Sequence, residues 1–161
     1  MATTQTSIRG ENFEINGMPT HAGRSFRGRS IEGRLFISRM ANAVVDDRNP
    51  GTIGAWAYAD GPWSAERNTR EFIAALPLYK RSGLDAVAIN LQGGSPQGYS
   101  WHQPWRLSGF APNGAVYSGT FERAAQVIRA ADALGMVVNL GLFYGWATQR
   151  SEERRVGKEC A

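Results

Sequence analysis

The chain has 161 residues, 42% hydrophobic and 20% charged, which is room for one domain of ordinary size and a composition that excludes a disordered polyelectrolyte. No apolar run approaches the roughly 20 residues of a membrane-spanning helix, and MATTQTSIRGENFEING lacks the basic and apolar regions of a secretory signal, so no membrane partner and a cytoplasmic location are expected. The formal charge is +4, and all of the 18 basic residues but Lys80 and Lys158 are arginine; yet the arginines before residue 50 share that stretch with Glu11, Glu14, Glu32, Asp46 and Asp47, which leaves weak grounds for a nucleic-acid partner.

In chain order, residues 1–10 are expected to be disordered. FEINGMPTHAG then alternates apolar and polar residues around Asn16-Gly17, a pair that tolerates the positive φ of a type I′ turn, and this predicts strands at 12–15 and 19–23. Ile31, Leu35, Met40 and Val44 fall at mixed helical spacings and predict a helix within 31–47 that ends near Asp46. Asn49-Pro50-Gly51 and Asp60-Gly61-Pro62 mark loops. Asn68 or Thr69 is expected to cap a helix with Phe72, Ile73, Leu76 and Tyr79 on one face, kinked at Pro77 and stopped at Gly83. LDAVAINLQ follows as an apolar run typical of a strand buried on both faces. The pattern recurs: Thr120 caps a helix bearing Phe121, Ala124, Ile128 and Ala131, which ends at Gly135 before the run MVVNLGLFY.

Alternating helices and buried strands imply an α/β fold with a parallel sheet and right-handed crossovers. Neither strand is followed by a GxGxxG or GxxxxGKS phosphate loop, so a barrel is preferred to a nucleotide-binding sheet. From Arg150 onward the composition breaks. RSEERRVGKEC is similar to a common sequencing adapter translated in frame, so 150–161 is expected to be an artefactual, exposed tail, and its removal lowers the charge from +4 to +3. Cys160 lies in that tail, and with His21 and His102 isolated, no metal or other cofactor is expected.

Ligands of parallel α/β folds gather at the carboxyl ends of the strands. Those ends offer Arg24, then Asn90 and Gln92, then Phe143, Tyr144 and Trp146; the loop after the second parallel strand adds Tyr99, Trp101, His102, Gln103 and Trp105. Amides and an arginine fix hydrogen bonds while aromatic faces stack on sugar rings, a set that suits a polyhydroxylated ligand. The GRSFRGR arginines are expected to be salt-bridged or stacked on Phe26 and Phe36 rather than bound to phosphate. Asp46 and Asp47 point apart as neighbours do, which argues against a carboxylate dyad, and GGSPQG is no nucleophile elbow.

FEINGMPTHAGRSFRGRSIEGRLFISRM, DGPWSAERNTREFIAALPLYKRSGL, INLQGGSPQGYS with QPW beyond it, and ADALGMVVNLGLFYG together resemble the amino-terminal part of a bacterial glycoside-hydrolase-like, cellulase-like (β/α)8 barrel over about 13–146. The resemblance implies a truncated TIM barrel of about three βα units preceded by a β-hairpin, spanning 11–149. It implies a carbohydrate substrate and sugar-lining roles for Arg24, Asn90, Gln92, Tyr144 and Trp146; the loop residue Trp101 is expected to join them, and no nucleic-acid partner is expected. In retaining relatives the two carboxylates stand about 5–5.5 Å apart, at the ends of strands four and seven. Both would lie beyond this chain, so it carries no catalytic residue and is expected to be an inactive fragment of a hydrolase; a non-catalytic carbohydrate-binding barrel and an Arg-rich nucleic-acid binder are the alternatives. A truncated barrel would leave Val87, Ile89, Val138 and Leu140 incompletely covered on its interior.

Overall fold

The computed structural model describes residues 3–92 and 106–143. Its amino-terminal part is antiparallel: β1 (Thr6–Arg9), β2 (Asn12–Ile15) and β3 (Met18–Pro19) form a meander in which Asn16 (φ 52°) and Gly17 (φ 77°) make the turn that the Asn-Gly pair predicts. The disorder expected over 1–10 is corrected by β1. Ser7 and Arg9 reach across the pair to Glu14, whose buried carboxylate accepts from Arg9 Nε at 2.9 Å and from Ser7 Oγ at 3.1 Å, and Asn16 Oδ1 accepts from the Gln5 N–H. The strand expected over 19–23 shortens to Met18–Pro19 because the chain turns at His21 (φ 50°) and Gly23 (φ 68°). A separate exposed ribbon follows, β4 (Ser25–Phe26) against β5 (Arg29–Ser30).

The helix expected over 31–47 is absent; β6 (Ile37–Arg39) stands there instead, parallel to β7 (Ala86–Asn90). Gly33 has φ 73° and is so close to Asn12 that an added Cβ would lie 2.2 Å from Asn12 Oδ1, a backbone state no helix continues through. Beyond it, the Phe36 N–H donates to Asp85 Oδ2 at 2.8 Å and the Phe36 carbonyl accepts from the Asp85 and Ala86 N–H groups, which aligns residues 37–39 along β7. Loss of that helix corrects the fold expectation. The described residues hold two α-helices and three small sheets, two antiparallel and one parallel of three strands, rather than a TIM-barrel fragment of three βα units.

The parallel sheet runs β6-β7-β8, with β8 (Val137–Gly141) paired in step with β7 from Ala86↔Val137 to Asn90↔Gly141. Helix α1 (Ala65–Arg81) begins four residues before the expected caps: Ser64 is the cap, its side chain accepting from the Arg67 N–H at 3.1 Å, with Glu66 in the first turn and Lys80 and Arg81 in the last to complement the dipole. Helix α2 (Ser118–Ala133) likewise starts before Thr120, and both helices give way to the expected glycines, Gly83 and Gly135, at positive φ. Both helices cover one face of the sheet. Val87 packs with Leu76, Ala131 and Met136, and Ile89 with Leu91, Ala124 and Val127. Val87 and Ile89 are therefore fully buried, contrary to the expectation of incomplete cover, whereas Val138 and Leu140 are only half-buried against the same helices. Side chains alternate along a strand, so the opposite face carries Arg39, Ala88, Asn90 and Asn139.

Candidate functional site

At the carboxyl end of the sheet, the loop after β6 is held by polar side chains from both helices. Asn68 Nδ2 donates to the Asn42 carbonyl at 2.9 Å, Thr69 Oγ1 to the Ala43 carbonyl at 2.8 Å, and Arg123 Nε to the Val44 carbonyl at 3.1 Å. Arg123 is buried and bonds also to Glu66, so one guanidinium ties α2, α1 and the loop together. These bonds satisfy carbonyls that no strand partner reaches.

The loop gives Asp46 and Asp47 separate partners. Asp47 is buried and accepts from four donors: the N–H groups of Asn49 (3.0 Å) and Arg106 (2.9 Å), the Thr52 hydroxyl (2.7 Å) and the Trp56 indole (3.2 Å). Asp46 accepts from the Trp63 indole at 3.2 Å. The two indole rings lie 5.2 Å apart, Tyr58 stacks on Trp63 at 5.8 Å, and the Arg67 guanidinium covers Tyr58 at 4.0 Å while pairing with Asp60 and Glu71 at 2.7 Å each. Burial, and then the Glu71 carboxylate, push the Tyr58 phenol above its ordinary pKa, while the hydrogen bond from Arg67 holds Asp60 below the usual carboxylate range. Arg67, Tyr58, Trp63 and Trp56 thus form a continuous ladder of ring contacts.

Beside this packed corner, the central strand ends at Asn90, with Gln92 two residues beyond. Gln92 is buried and bridged to Ser108, whose carbonyl accepts from Arg48; that guanidinium lies 3.7 Å over the Tyr117 ring. Asn90 is half-buried, and its Oδ1 sits where a Cβ on Gly141 would come within 2.4 Å. Glycine at 141 is what lets this amide lie flat across the sheet end. The Asn90 side-chain amide forms no hydrogen bond with a described residue. Phe143, just past the end of β8, stacks on Phe110 at 5.1 Å and stays partly exposed.

Of the sequence-predicted site residues, Asn90 and Gln92 are brought together. Arg24 is not. Its carbonyl accepts from Ile31, in the segment whose His21 Nε2 meets Asp85 Oδ2 at 2.8 Å just before the first residue of β7, whereas Asn90 closes that strand. Arg24 thus belongs to the amino end of the sheet. Trp101, Tyr144 and Trp146, and with them Tyr99, His102, Gln103 and Trp105, lie outside the described residues. Sequence reasoning missed Arg123 and Asp47 as organisers, and took Asn68 and Thr69 for caps. The available signal was position: polar side chains one turn inside a helix, on its core side, need partners, and an adjacent loop's carbonyls provide them. No protein-family model, curated protein or solved structure matches this chain.

Proposed function

We propose that the carboxyl end of the parallel sheet is a carbohydrate-binding wall, and that the chain belongs to a protein of the glycoside-hydrolase kind, in which it supplies sugar contacts rather than the catalytic carboxylates. The observation that carries this reading is Asn90: a half-buried amide at the end of the central strand, seated against Gly141 and committed to no described neighbour. An amide offers one acceptor and two donors in a plane, which matches a pair of vicinal hydroxyls. Phe143, two residues past the end of β8 and 39% exposed, offers an apolar surface for the ring of the sugar.

The acids nearby do not supply hydrolysis. Asp47 has its lone pairs filled by four donors, and Asp46 holds an indole, so neither is poised to protonate a leaving group or attack an anomeric carbon. Calorimetric titration of the full chain with a panel of β- and α-linked oligosaccharides tests the reading. Binding of at least one glycan is expected, weakened about tenfold in Asn90→Ala, the loss of roughly one well-made hydrogen bond. Absence of any glycan binding at millimolar concentration, or binding indifferent to Asn90→Ala, overturns it.

A further inference from the structure

The β4–β5 ribbon stands out from the described core as an exposed, arginine-rich element. Ser25, Phe26, Arg27, Gly28, Arg29 and Ser30 are all exposed, Phe26 to 64%. Arg24, Arg27, Arg29 and Arg34 lie on or beside it, and the arginine ion pairs among the described residues, Arg9–Glu14, Arg67 with Asp60 and Glu71, and Arg123–Glu66, involve none of these four. The one nearby acid, Glu32, accepts from the Gly23 N–H at 2.6 Å. Neighbouring charge is therefore left uncompensated, contrary to the salt-bridged arginines expected from the sequence; only Arg27 takes the expected stacked form, 5.3 Å over Phe26.

The tip is also strained. Arg27 and Gly28 form the two central residues of the turn with φ 50° and 75°, and the first of these positions favours asparagine, aspartate or glycine. An arginine there gives up local stability while holding its guanidinium over the Phe26 ring at the tip, a pattern of strain found at functional sites.

We infer that the ribbon is a docking finger for single-stranded nucleic acid, its arginines contacting successive phosphates and Phe26 stacking a base. Two features favour nucleic acid over an acidic polysaccharide. The basic residues are all arginine, whose planar fork matches phosphate bidentately, and they surround an exposed phenyl ring, the sequence-tolerant platform on which bases stack. This surface lies at the amino end of the sheet and is independent of the proposed sugar wall.

The test is fluorescence anisotropy of the full chain with a labelled 15-nucleotide oligothymidylate across a salt series, a sulfated heparin oligosaccharide serving as the second probe. Binding is expected to weaken with salt at a logarithmic slope of about −2 to −3, since each phosphate contact on a single strand contributes about 0.7. Arg27→Asn relieves the turn strain and so preserves the fold, yet should reduce the slope by about 0.7; Arg27→Asn with Arg29→Gln should reduce it by about 1.4 and weaken binding about tenfold or more near 50 mM salt. Phe26→Ala should weaken the oligonucleotide at least fivefold and leave heparin unchanged, because only a base stacks. No oligonucleotide binding at low salt, binding that the ribbon variants leave intact, or heparin bound more tightly than the oligonucleotide with Phe26→Ala silent on both, would overturn the inference.

Discussion

The loop after β6 and the β4–β5 ribbon both carry charged side chains, but they dispose of that charge in opposite ways. In the loop, Asp47 gathers four donors, Asp46 an indole, and Asn68, Thr69 and Arg123 bond to its carbonyls. In the ribbon, Arg24, Arg27 and Arg29 stand in solvent with no ion pair among the described residues. The lesson is that charge in a sequence says little until its partners are known. Buried, saturated polar groups fix a wall in place; exposed, unsaturated ones are free to meet a partner.

The comparison breaks most severely if the saturated group is removed. Asp47→Ala takes from the part-buried donors of Asn49, Thr52, Trp56 and Arg106 the buried carboxylate they share and is expected to cost about 3 kcal/mol, measured by denaturant unfolding; a loss within about 0.5 kcal/mol would show that the loop is not held as described. Next comes Gly33→Ala, which forces a side chain into Asn12 at positive φ; about 2 kcal/mol of destabilisation is expected, and a neutral result would mean that β6 does not depend on the turn before it.

Acid sharpens the same contrast at Asp132. The N–H groups of Thr3 and then Thr4 hold its carboxyl below the ordinary carboxylate range, so the tether of the amino terminus to α2 is complete above the pH where an unfolded aspartate titrates. It is lost as the pH falls through the lower folded value, which hydrogen exchange of residues 3–9 should report as protection disappearing only in strong acid. Loss already near neutrality, or no difference in Asp132→Asn, would contradict it. Arg27→Asn should raise stability by a few tenths to about 1 kcal/mol, because asparagine accepts the left-handed turn more readily. Arg29→Gln should change it by less than about 0.5 kcal/mol, as for an exposed residue without a stabilising partner.

Much of the parallel sheet was legible because its signals are local. The runs LDAVAINLQ and MVVNLGLFY became β7 and β8, the stop glycines ended both helices, and Asn16-Gly17 made its turn. The 31–47 segment was not, because its apolar spacing suits a helix while the decisive facts are non-local: Gly33 pressed on Asn12, and Phe36 bonded to Asp85, 49 positions away. The loss of that helix in turn removes the third βα unit that the resemblance implied. Within the site, Asn90 and Gln92 could be placed from the strand that carries them, whereas Arg24 could not, since a chain reversal at His21 and Gly23 sends it to the other end of the sheet.

The most direct test of the account pairs one variant from each region with two ligands: Asn90→Ala and Arg27→Asn with Arg29→Gln, each titrated with the best-bound oligosaccharide and with the oligonucleotide. Independent surfaces predict a crossed result, in which Asn90→Ala weakens the sugar about tenfold and spares the oligonucleotide while the arginine double variant does the reverse. Loss of both ligands in either variant, or of neither in both, would contradict the division of the molecule into a sugar-binding wall and a phosphate-binding finger.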